Sequence, residues 1–127
     1  MDRARVLVVE DCRMTSLLLK HIMGKLGVQV DSAMTGEQAL ALALGENEYP
    51  LIFLDVMLPD LDGFEVCRRI RAAETTVRPR IYFLTAMGES YSNKHVEVDG
   101  DGVFFKPVVP SQIHQIVRDT VFENESA

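Results

Sequence analysis

No apolar run in this 127-residue chain approaches the roughly 18 residues a membrane helix needs, and charge interrupts the N-terminal stretch at Glu10 before any signal-peptide core can form. The simplest location is therefore cytoplasmic. A basic excess is missing as well: 13 Lys and Arg stand against 19 Asp and Glu, for a formal net charge of -6. That balance argues against a sequence-independent grip on nucleic acid or an anionic membrane, so protein partners are expected. Cysteine is scarce. Cys12 and Cys67 form no CxxC or metal-ligand pattern, and both fall within predicted helices, as free thiols of a reducing compartment would. Internal repeats, low-complexity tracts and linkers are also absent. With 47% hydrophobic and 25% charged residues, the composition is that of one globular domain over residues 1–127, with a loose tail at 123–127.

What is present is an alternation of two periodicities. Arg5 to Val9 is continuously apolar after its first residue, as a strand covered on both faces would be. Met14, Leu17, Leu18, Ile22 and Leu26 then recur at helical spacing and stop at Gly27. Val28 to Asp31 predicts a second strand. Thr35 with Gln38 reads as a capping box opening a helix whose apolar face is Ala39, Leu40, Ala43 and Leu44, closed by Gly45. Leu51 to Leu54 predicts the central strand, and Pro59 stiffens its exit loop from Met57 to Asp62. Asp62 and Glu65 suggest another capping box, ahead of a helix carrying Phe64, Val66 and Ile70. Arg80 to Leu84 predicts a fourth strand. Between Thr85 and Gly102 poor helix formers predict a short or frayed helix, and the Asp99-Gly100-Asp101-Gly102 stretch reads as a turn. Val103 to Phe105 is the fifth strand, followed by a helix that starts at Pro110 and carries Ile113, Ile116, Val117, Thr120 and Val121. Five strand-helix units in strict alternation imply an α/β protein with a five-stranded, parallel, doubly wound sheet.

The strands end in chemically pointed residues: Glu10 and Asp11 after the first, Asp55 after the third, Thr85 after the fourth, Lys106 after the fifth. Parallel strands bring these to one edge of the sheet, where open α/β folds place ligands. Three carboxylates there repel one another by roughly 4 kcal/mol per pair at about 4 Å and an effective dielectric near 20. Such a cluster needs a cation or shifted pKa values, and its oxygen ligands suit Mg2+. Taken singly, Glu10 and Asp11 could merely begin a helix, Asp55 could be a turn residue, and Thr85 and Lys106 could be structural or solvated.

The segments Val-Val-Glu-Asp, Leu-Asp-Val-Met-Leu-Pro-Asp-Leu-Asp-Gly, Leu-Thr-Ala and Lys-Pro stand in an order and spacing that resembles the receiver domain of two-component response regulators. The resemblance runs over roughly residues 4 to 122 and implies a (βα)5 flavodoxin-like fold. It also implies a phosphoacceptor at Asp55, metal ligation by Asp11 and Asp55, and Glu10 acting largely through metal-bound water. The backbone carbonyl of Met57 would complete the protein ligands, for Mg2+ or alternatively Mn2+. Thr85 resembles the hydroxyl that moves to the new phosphoryl group, and Lys106 the amine that pairs with a phosphoryl oxygen. The partners implied are a histidine kinase or phosphotransfer protein on one side and a downstream effector or fused output domain on the other. The protein would be no enzyme in the ordinary sense, but a phosphoacceptor that catalyses its own phosphotransfer and autodephosphorylation.

Two other readings differ at named residues. An aspartyl-phosphate hydrolase of the haloacid dehalogenase type would place a second Asp two residues after the nucleophile, where Met57 stands. A flavin-binding module would carry a Ser/Thr/Gly-rich loop after the first strand, where Glu10-Asp11-Cys12-Arg13 stands. A degenerate receiver that binds partners without phosphorylation is a further alternative, opposed by the complete set of acids with Thr85 and Lys106. The chain departs from the family in having Val103, not Tyr or Phe, three residues before Lys106, with the aromatics displaced to Phe104 and Phe105.

Met57 and Met87 fall two residues after Asp55 and two after Thr85, flanking the path of hydrolytic water in the family. Two flexible apolar side chains offer no group to orient that water, so a long-lived phosphorylated state is expected. Replacing the pair by Met57→Asn with Met87→Glu should speed autodephosphorylation, followed as loss of label with time; unchanged or slower decay would remove the shielding role.

Overall fold

The computed structural model describes residues 4–73, 78–86 and 94–122. Its strands are β1 (Arg5–Val9), β2 (Gln29–Ala33), β3 (Leu51–Asp55), β4 (Arg80–Thr85) and β5 (Gly102–Phe105). All pair in parallel, in the order β2-β1-β3-β4-β5. The helices are α1 (Arg13–Gly24), α2 (Gly36–Ala43), α3 (Gly63–Ala72), α4 (Lys94–Glu97) and α5 (Pro110–Val117), the last running into a π-helical turn over Arg118–Phe122. The doubly wound arrangement expected from the alternation is the one observed. Among the described residues no helix is long and apolar enough to cross a membrane.

Strand alternation divides the apolar runs between two cores. Leu7, Val9, Ile52, Leu54, Ile81 and Phe83 face one side, where α2 and α3 bring Ala39, Leu40, Phe64, Val66, Cys67 and Ile70. Val6, Val8, Leu51, Phe53 and Leu84 face the other, against Leu19, Ile22 and Met23 of α1 and Ile113 and Val117 of α5. This two-sided burial explains why the strands read as unbroken apolar runs.

Several local expectations are corrected. The apolar stripe of α1 is Leu19, Ile22 and Met23, with Leu26 partly buried, whereas Met14, Leu17 and Leu18 are exposed. Two helical phases share Ile22, and the one that runs through Leu19 and Met23 lies on the sheet. Cys12 is the N-cap position of α1 rather than a residue inside it. At α3 only half of the expected capping box forms: the Asp62 carboxylate accepts from the Phe64 amide at 2.7 Å, but Glu65 turns away to pair with Arg68 and Arg69. At α2 both halves are used, the Thr35 hydroxyl accepting from the Gln38 amide and the Gln38 side chain reaching back to the Met34 amide. Regular α-helix ends at Val117, earlier than the periodicity suggests, and the Thr120 hydroxyl donates to the Ile116 carbonyl across the π turn.

The Asp-Gly-Asp-Gly segment is a turn, with Asp99 at φ 62°, but it is also ionic. Asp101 accepts from Arg71 at 2.9 Å and from the Ile81 amide at 2.8 Å, while Arg78 reaches Asp99 at 3.0 Å. Helical residues Lys94–Glu97 lie where a short fourth helix was expected. Met87 and the rest of 87–93, and the tail at 123–127, lie outside the described residues.

The turn from β3 into α3 brings two pieces of backbone together at Gly63. Its amide donates to the Val56 carbonyl at 2.8 Å, and a Cβ on Gly63 would run into the Asp55 carbonyl oxygen and stand 2.9 Å from Val56 Cα. Backbone on both sides leaves nothing flexible to move aside. Gly63→Ala should therefore destabilise the protein by about 1–3 kcal/mol, the range for overpacking, measured as a lowered urea midpoint with an unchanged slope.

Candidate functional site

Register decides which residues meet. Val9 lies level with Ala33 and Leu54, Asp55 with Leu84, and Thr85 with Phe105. The residues at or just past these ends, Glu10, Asp11, Asp55, Thr85 and Lys106, consequently gather at the carboxyl edge. An open cleft of about 430 Å³ is lined there by Asp11, Asp55, Met57, Thr85 and Lys106, with Leu58, Pro59 and Ala86.

One carboxylate oxygen from each of Glu10, Asp11 and Asp55 lies within 4.8 Å of the others. Glu10 is fully buried, Asp55 is 4% exposed and Asp11 is exposed to solvent. Backbone amides orient the two buried groups: Cys12 donates to Glu10 Oε2 and Met57 to Asp55 Oδ1, both at 3.1 Å. Lys106 Nζ stands between them, 2.6 Å from Glu10 Oε1 and 3.3 Å from Asp55 Oδ2. Its backbone amide donates a hydrogen bond to the Thr85 carbonyl at 2.9 Å.

Burial is the chief reason that the Glu10 carboxyl is pushed up to about 7, with the neighbouring Asp55 adding to the rise and Lys106 opposing it. For Lys106, burial alone would lower the pKa, but bonding to Glu10 and the charges of Glu10 and Asp55 outweigh it and raise the value. The site thus holds excess negative charge that one ammonium only partly offsets. Three convergent carboxylates, one of them open to solvent, form the all-oxygen donor set that suits a hard divalent cation, and Met57 lines the same cleft.

Glu10, Asp11, Asp55, Met57, Thr85 and Lys106 are all brought to this edge, while Met87 lies outside the described residues. Met57 lines the cleft with its side chain 69% exposed, an open position for a group expected to cover Asp55. The aromatics near Lys106 divide between faces. Val103 packs on the α2/α3 core, Phe104 packs on the opposite core against Tyr82 and Phe53, and Phe105 is exposed. Sequence reasoning missed Asp60, which reads as an ordinary turn residue after Pro59. Its carboxylate accepts from the Gly36 amide at 2.7 Å and the Glu37 amide at 2.9 Å, both in the first turn of α2.

Comparison with known proteins is consistent across sequence and structure. The family model of the response regulator receiver domain matches residues 6–118. The transcriptional regulatory protein ResD of Bacillus subtilis is 35% identical over 113 residues, covering 88% of this chain and 45% of ResD. The alkaline phosphatase synthesis transcriptional regulatory protein PhoP of the same organism is 36% identical over 125 residues, covering 97% of this chain and 50% of PhoP. The chain thus spans about half the length of these two relatives. A solved two-component response regulator from Clostridium difficile superposes with a TM-score of 0.86 at 25% identity, covering 96% of this chain and 98% of that one.

A cation held by these acids must displace the proton that Glu10 carries below about pH 7. The deprotonated form binds, so affinity falls as pH falls. Mg2+ titrated by calorimetry should bind roughly tenfold more weakly at pH 6 than at pH 8, with proton release approaching one per ion at pH 6. Glu10→Gln should flatten this dependence.

Proposed function

The chain belongs to the response regulator receiver domain family, and we propose that it accepts a phosphoryl group on Asp55, with Mg2+ held by Asp11 and Asp55 directly, by the Met57 carbonyl, and by Glu10 largely through water. Receiver domains are signalling phosphoacceptors that bind Mg2+ at an acidic pocket and work with histidine kinases and phosphotransfer proteins. The observation that carries the reading is the meeting of Glu10, Asp11 and Asp55 beside Lys106 Nζ in one open cleft.

In this reading an Asp55 oxygen attacks the phosphorus of a phosphohistidine in line. The new P–O bond forms as the P–N bond breaks, and the imidazole of the donor leaves with the electron pair. Bound Mg2+ would supply positive charge to the phosphoryl oxygens. The Met57 amide, bonded to Asp55 Oδ1, holds the carboxylate so that the other oxygen is directed to the cleft. Lys106 exchanges its contact with Asp55 for one with a phosphoryl oxygen, a charge-assisted bond made where charge spreads in the loose transition state.

The phosphoryl group then presents new acceptors to the Thr85 hydroxyl, which biases a pre-existing equilibrium of the loop after β4 and so the surface of the last two strand-helix units. Val103 cannot act as the family's aromatic switch, so this output passes through Thr85 and the backbone of β4 and β5. Autodephosphorylation occurs at the same site, and residues 4–122 form the receiver unit. The two free thiols, Cys12 and Cys67, accord with a cytoplasmic site of action. A histidine kinase or phosphotransfer protein is the donor, and an effector protein or a fused output domain receives the signal.

Incubation with a small-molecule phosphodonor and Mg2+ should label wild type with one phosphoryl group that base and hydroxylamine release, while Asp55→Asn takes up none. Chelation should prevent labelling, and Lys106→Ala should keep Mg2+ binding but lose most of the conformational response. Metal-independent labelling, or undiminished labelling of Asp55→Asn, would sink the assignment.

A further inference from the structure

We infer that Asp60 is a positioning residue for the cation site, acting by fastening the β3–α3 loop, and with it the Met57 carbonyl, to the first turn of α2. The inference rests on the reading of that carbonyl as a metal ligand.

The loop that leaves Asp55 is held at its base by its own backbone. Met57 and Asp62 form an isolated antiparallel bridge, and the Gly63 amide bonds the Val56 carbonyl. Its tip, Pro59 and Asp60, is exposed. Leu58 and Leu61 pack partly on the core, but apolar contacts are non-directional and do not by themselves set where a peptide oxygen points.

Asp60 adds a directional tie from the loop to a second element. Its two carboxylate oxygens take one amide each, Gly36 at 2.7 Å and Glu37 at 2.9 Å, so a single rigid group bridges elements 23 and 24 residues apart in the chain. A carboxylate accepting paired amides at a helix N-terminus makes charge-assisted bonds, favoured further by the helix dipole. Thr35 caps only the Gln38 amide, so the open Gly36 and Glu37 amides of the same turn are left to Asp60, which reaches them from the loop. Gly36 confirms how closely the two parts are fitted. A Cβ there would lie 2.7 Å from Leu61 Cβ, so only glycine lets the loop sit down on the helix. With Asp60 fixed, only Val56 to Pro59 separate it from Asp55, and the orientation of the Met57 peptide is bounded on both sides.

Mg2+ titration by calorimetry, paired with hydrogen exchange of residues 57–62, tests this without reference to phosphorylation. Asp60→Asn, which loses the charge and one acceptor, should raise the Kd for Mg2+ about tenfold, as loss of supporting contacts to metal ligands commonly does. Gly36→Ala, which pushes on the same junction from the helix side, should do likewise. Amides of the loop should exchange faster in both. Thr35→Ala removes the ordinary cap alone; it should lower the melting temperature comparably while leaving Mg2+ affinity and loop exchange unchanged. Wild-type Mg2+ affinity in both Asp60→Asn and Gly36→Ala would overturn the positioning role. Absence of Mg2+ binding by wild type would overturn the cation site itself.

Discussion

Like charges crowded at one edge of a sheet are the constraint on which the rest of this molecule turns. Glu10 and Asp55 are buried within reach of each other and of Asp11, an arrangement that costs free energy unless something positive is near. Lys106 is the positive group the chain itself supplies, and it touches both buried acids. The buried apolar runs over residues 6–9 and 51–54 make this tolerable by fixing the backbone from which the acids project. The five buried residues of β3 end on Asp55 itself. A site held in this way is poised for a ligand that brings positive charge, and for a second that brings negative charge once the first is in place.

The two sides of the site are secured differently. On the β3–α3 side, the chain is tied down through Gly63, Asp62 and Asp60, each bonded to neighbouring backbone at 2.9 Å or less. On the β4–β5 side, Thr85 and Ala86 lead out of the sheet, while Val103 offers a small side chain where the family carries a ring. The fixed side is where the cation would sit.

Much of this was legible before any coordinates, because strand runs, glycines and strand-end acids are local signals that tertiary packing reinforced. The parallel sheet followed from the alternation, and the convergence of Glu10, Asp11, Asp55, Thr85 and Lys106 followed from the sheet. What was not legible depended on distance or phase. Asp60 and the Asp99/Asp101 pair look like turn residues, yet their partners lie 20 to 30 residues away in sequence, where no periodicity reports them. The apolar residues of α1 fit two helical phases that meet at Ile22, one through Met14 and Leu18 and one through Leu19 and Met23, and spacing alone does not choose between them. Glu65 has the spacing of a cap, but two arginines within a helical turn compete for the same carboxylate more strongly than a lone amide. The aromatics of β5 could be counted in the sequence, but only the pleat shows which one enters the core.

The Arg71 side chain bears on cooperativity. Its guanidinium donates to the Pro79 carbonyl, the Asp99 carbonyl and the Asp101 carboxylate, so one half-buried group of α3 is shared by the entry to β4 and the entry to β5. None of the three segments can open alone without stranding donors or acceptors in a partly dry setting, where an unmade bond is costly. α3 and the amino ends of β4 and β5 are thereby joined into one unit that opens together or stays closed.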